Sequence, residues 1–78
     1  MSLQQCLALA DKMLALAENE VEHQRHIVAC LERDGQETRM ARHVLETISY
    51  IRSERLVMRD ELLAAAAVEG MTLEGVPY

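Results

Sequence analysis

His26, Cys30 and His43 are the residues whose types could do chemistry together, because imidazole and thiolate are the side chains that bind zinc, nickel or copper. His26 and Cys30 stand four residues apart, which places them on one face of any helix that holds both. A short turn after Gly35 would bring His43 back to within one step of Cys30, and Glu22 or Glu46 could add an oxygen ligand. The chemistry this would supply is that of a metal- or redox-responsive sensor. Three features weigh against it. No C-x-x-C or H-E-x-x-H spacing is present, His26 projects toward the solvated side, and His23 lies seven residues from Cys30, too far to chelate with it. A small buried thiol beside solvated histidines is the plainer expectation, with no metal and no cofactor. A Cys–His nucleophile would also need oxyanion donors and a cleft, and a hairpin offers neither, so no enzymatic activity is expected.

The elements that must position these side chains are helices. Half of the 78 residues are apolar, with no Phe, no Trp, two Tyr and five Met among them. Leu, Ala, Met, Glu, Gln and Arg favour helix, while the aromatic residues that favour strands are nearly missing. Ser2 with Gln5 reads as a capping box. From there the apolar positions Leu7, Ala10, Leu14, Ala17, Val21, Val28 and Leu31, with Gln24 among them, alternate spacings of four and three, a heptad seam. Gly35 after Asp34 is the natural left-handed stop. A second helix begins at Thr38, its expected N-cap, with a seam of Ala41, Val44, Ile48, Ile51, Arg55, Met58, Leu62 and Ala65, and Gly70 as its end. The expected organisation is therefore an all-α antiparallel hairpin over residues 1–69. Its parts are a helix over about 3–34, a turn at 35–37 and a helix over about 38–69. Residues 70–78 read as an extended tail, either folded back on the hairpin or serving as a short linear motif.

Antiparallel pairing outward from the turn sets Leu31 by Ala41, Val28 by Val44, Gln24 by Ile48, Val21 by Ile51, Ala17 by Arg55 and Leu14 by Met58. Gln24 and Arg55 are then the polar seam residues; they mark register, with Arg55 expected to reach Glu18 or Glu20. The two helices carry more apolar surface than one seam hides. Cys6, Leu9, Met13, Leu16, Ile27 and Cys30 share one flank of the first helix, and Met40, Tyr50 and Val57 are read as facing the same way from the second. The other flank holds Leu45, Leu56 and Leu63 but also Arg52 and Arg59. A chain this short seldom forms a sufficient core alone, so the first flank is expected to join two hairpins into a homodimeric four-helix bundle.

Charge narrows the partners. The net charge of -5 disfavours nucleic acid and anionic membranes, and the arginines of the second helix are spread around it among acids. Residues 2–34 hold Lys12, Arg25 and Arg33 against six acids, a balance of -3, so an acidic helix pairs with a neutral one. Cys6 and Cys30, 24 positions apart on one helix, lie roughly 36 Å from each other and cannot bridge within a chain. A reduced, cytoplasmic setting follows as the expectation, with no signal peptide and no membrane span.

The segment His23–Gly35, with Thr38 and Leu45 after it, resembles a pattern in small uncharacterised bacterial helical-hairpin proteins. In these, a helix with a basic, histidine-containing stretch ends in Leu-x-x-Asp-Gly before a Leu-rich second helix. The resemblance implies a hairpin and a bacterial cytoplasmic origin. That family has no assigned activity, so it assigns no functional residue here. The functional expectation is a small adaptor, regulator or assembly module acting through protein–protein interaction.

Overall fold

The computed structural model describes the backbone of residues 1–74 and the side chains of residues 1–69. Two helices, α1 (Leu3–Arg33) and α2 (Arg39–Glu74), pack on each other, and no strand occurs among the described residues. They run antiparallel: Gln24 reaches Ala41, Arg55 reaches Met13 and Arg59 reaches Asp11.

Each turn of chain direction has a local cause. At the start of α1, the Gln5 backbone N–H donates to Ser2 Oγ at 3.1 Å and the Ser2 N–H donates to Gln5 Oε1 at 2.8 Å, so a capping box satisfies two end donors. At its end, Gln36 N–H donates to the Leu31 carbonyl and Gly35 N–H to that of Glu32, the paired bonds of a Schellman motif. That motif needs a left-handed residue, and Gly35 supplies it at φ +70. Thr38 stands at the start of α2, its carbonyl accepting from Arg42 N–H, but its hydroxyl is engaged by Arg42 Nε instead of capping the helix. The cap comes from Glu37, whose carboxylate accepts from Arg39 N–H at 2.9 Å where the helix dipole favours negative charge.

The far end of α2 departs from expectation. The helix runs through Gly70 to Glu74, so residues 70–74 are not extended tail, and residues 75–78 lie outside those described. Glycine costs a helix interior only about 0.5–1 kcal/mol. Four consecutive alanines, Ala64–Ala67, stand just ahead of it, and propagation from so favourable a run carries the helix past the glycine.

The core lies almost wholly on α1. Ala10, Leu14, Ala17, Val21 and Val28 are buried, with Ala17 completely covered. Among the described residues α2 contributes no buried side chain; its half-buried positions include Ala41, Leu45, Ile48, Arg52, Arg55, Arg59, Leu62 and Ala66. That stripe corrects the expected one. Leu45, Arg52, Arg59 and Ala66 take the places given to Val44, Ile51, Met58 and Ala65, and α2 is rotated accordingly. Both stripes have heptad spacing, so spacing could not choose between them. Ala10 and Ala17 are small, which leaves room for arginine stems from α2 to cross this part of α1, Arg55 to the Met13 carbonyl and Arg59 to Asp11.

Candidate functional site

The histidine–cysteine group forms only in part. His26 Nε2 lies 3.5 Å from Cys30 Sγ, and Arg33 Nη2 donates to the same sulfur at 3.5 Å. The three residues sit on successive turns of α1, as their spacing requires. His43 joins neither: it lines a hollow of about 410 Å3 at the turn end of the molecule with Glu37, Arg39 and Met40. Among the described residues no group of three or more His, Cys, Asp or Glu is placed to hold a metal ion. α1 holds His26 and Cys30 on one face by their spacing of four, while His43 stands one turn into α2, exposed and off the half-buried stripe that faces α1. What the arrangement supplies is a half-covered thiol between an imidazole and a guanidinium.

The seam is polar where expected, with different partners. Gln24 Nε2 donates to the Ala41 carbonyl at 3.0 Å, tying α1 to the first turn of α2. Arg55 does not reach Glu18 or Glu20; its Nη1 donates at 3.0 Å to the Met13 carbonyl, one turn before Ala17. A guanidinium can approach that backbone because Ala17 carries no side chain beyond Cβ. Arg59 meets Asp11 at 3.9 Å and Asp60 at 3.1 Å. The Nε atoms of Arg52 and Arg59 are covered and lack a partner, so the seam contains groups that water would have satisfied. Sequence reasoning placed Arg52 and Arg59 on an outer flank; the acid at Asp11, opposite Arg59, was the available signal.

With arginines turned inward, the hydrocarbon of α2 is turned out. Val44, Ile51 and Met58 are 37%, 38% and 54% exposed. They adjoin the flank on which α1 shows Leu9, Leu16 and Ile27, all exposed as well. Two shallow hollows run along this flank. Cys6, Leu9 and Met13 face Met58 and Leu62 across one of about 260 Å3. Leu16, Glu20, His23 and Ile27 share the other, of about 420 Å3, with Ile48. Cys6, Leu9, Met13, Leu16 and Ile27 line these hollows, while Cys30 borders neither and touches His26 and Arg33. On α2 the reading is corrected: at about 100° per residue, Tyr50 and Val57 stand opposite the stripe that faces α1, on the outer back of the helix. Met40, exposed as well, lines the hollow at the turn end with His43 instead of either hollow of this flank. The misplacement follows from the rotation of α2 described above. Of the strip's polar residues, His23 was read as lying on the Cys30 stripe but weighed only as a metal ligand, and Glu20 was missed; both continue the heptad Cys6, Leu9, Met13, Leu16, Glu20, His23, Ile27, Cys30, which was legible as spacing.

No helix among the described residues is long and apolar enough to cross a membrane. Compared with protein-family models, curated proteins and solved structures, the chain matches none.

Proposed function

We propose that this protein is a non-enzymatic interaction module, a homodimer in which two hairpins join through the apolar flank into a four-helix bundle and act as a small adaptor, regulator or assembly element. One observation carries the reading. α2 turns Arg52, Arg55 and Arg59 toward α1 and leaves Val44, Ile51 and Met58 on the flank beside Leu9, Leu16 and Ile27. A hairpin that stayed alone would lower its free energy by the opposite rotation, since each large apolar side chain taken from water is worth roughly 1.5–3 kcal/mol. Leu56 and Leu63 stay exposed on the other flank, but more of the hydrocarbon stands on this one, and placing it there is favourable when something covers that side. The molecule measures 67 × 17 × 15 Å. One long side thus offers on the order of 1,000 Å2 in projection, compared with the ~800 Å2 that each partner buries in a standard interface.

The test is molar mass by light scattering or sedimentation over a wide concentration range. The expected result is twice the 8.8 kDa of one chain, falling to the single mass for Leu16→Glu, which sets a carboxylate in the middle of the strip. A wild-type chain that stays at single mass and well folded at high micromolar concentration overturns the proposal.

A further inference from the structure

The polar pair inside the apolar strip points to how two copies meet. Cys6, Leu9, Met13, Leu16, Glu20, His23, Ile27 and Cys30 follow one another at alternating spacings of three and four, so α1 carries a second heptad seam on its flank besides the one it turns to α2. Glu20 and His23 are exposed and line the same hollow as Leu16, Ile27 and Ile48. We infer that α1 packs antiparallel on α1 of a second copy, with the two-fold axis between Glu20 and His23, so that each Glu20 meets the partner's His23. This deepens the homodimer reading and rests on it.

The register follows from what each alternative sets side by side. With the axis between Glu20 and His23, Leu16 lies opposite the partner's Ile27 and Met13 opposite the partner's Cys30. At these positions apolar meets apolar, Leu9 and Cys6 run past the end of the partner's α1, and the one acid meets the one imidazole twice about the axis. The hollow that Leu16 and Ile27 border receives the same two side chains of the other copy. A slip of one heptad in one direction sets Glu20 against Leu16 and His23 against Met13. A slip the other way sets Glu20 against Cys30 and His23 against Ile27. Either leaves four polar groups on hydrocarbon, and unpartnered burial of a charge is costly. A polar pair within an apolar seam thus selects register, as such residues do in coiled coils. Because Ile48 lines the hollow with Glu20 and His23, the same axis brings α2 alongside α2 near Ile48 and Ile51, and both Gln24 and Arg55 keep their contacts within each hairpin.

Two measurements on the full chain test this. In the first, His23→Glu gathers four carboxylates at the axis and should weaken dimerisation about tenfold or more, while Glu20→Lys with His23→Glu restores it. Circular dichroism confirms that each variant remains helical. In the second, Cys6→Ser with Met13→Cys should form an interchain disulfide with the partner's Cys30 on mild oxidation, whereas the unaltered chain should form none, since its Cys6 has no thiol opposite it. A dimer whose affinity is unmoved by His23→Glu, or that joins Cys6 to the partner's Cys30, overturns this register and leaves association standing. A wild-type chain that never dimerises removes both.

Discussion

Arg55 donates to a carbonyl that already serves the backbone ladder of α1, and the contact exists because Ala17 beside it is small. Its aliphatic stem covers α1 while its charged end finds an acceptor. Arg55→Ala should therefore cost about 1–2 kcal/mol in thermal or urea unfolding, by loss of both stem packing and a charged hydrogen bond. Arg52 is the contrasting case. Its Nε is covered without a partner, so Arg52→Leu should raise the melting temperature instead of lowering it. Gly35 shows a third kind of dependence. A Cβ there would touch nothing within 4 Å, yet φ is +70, a conformation that costs an L side chain roughly 1–2 kcal/mol. Gly35→Ala should lose about that much by strain alone, and Gly35→Asn less, since asparagine tolerates the left-handed region. Gly35 and the polar character of Gln24 and Arg55 were readable from spacing. The partners of those two side chains were not, because a long side chain reaches whichever backbone acceptor the register brings near.

The ends of α1 were legible as elements because their signals act within a few residues: Ser2 with Gln5 at the start, Asp34-Gly35 at the finish. Such caps are worth about 1 kcal/mol each, so Ser2→Ala should lower helicity and stability by that order, read from the far-ultraviolet signal and its melting curve. The end of α2 was misread because Gly70 is a stop only if the chain gains by leaving the helix there, and the run Ala64–Ala67 makes continuing cheap. Which stripe of α2 faces α1 was likewise hidden. Two stripes with the same spacing differ at alternate positions by a single residue, and the decision belongs to Ala10 and Ala17 on the other helix, which leave room for arginine stems. Ala17→Leu should fill that room. It should destabilise the hairpin by about 1–3 kcal/mol in urea unfolding, the usual result of overpacking a covered site.

At the scale of the whole molecule, folding and association are expected to be one process. Among the described residues the five buried ones belong to one helix, and in the proposed dimer the covering of the flank would supply what the seam between two helices lacks. Mass action then makes stability depend on concentration. Each tenfold dilution should lower the melting temperature by about 3–6 °C, since it removes about 1.4 kcal/mol from a unit of two chains. A melting temperature independent of concentration, together with single-chain mass, would show that the hairpin stands alone.

The order of the residues was enough to determine two helices, the place and sharpness of the turn between them, and an excess of hydrocarbon on one flank of α1. These follow from interactions spanning seven residues or fewer: caps, a left-handed glycine and the three-and-four spacing that puts side chains on one face. Only the packed pair decided that Arg52 and Arg59 face inward while Val44, Ile51 and Met58 face out, that Tyr50 and Val57 leave the shared flank, and that His43 stands apart from His26 and Cys30. Rotation of one rod against another is set by how the contours of both fit. That fit is a property of residues tens of positions apart, which no local spacing encodes.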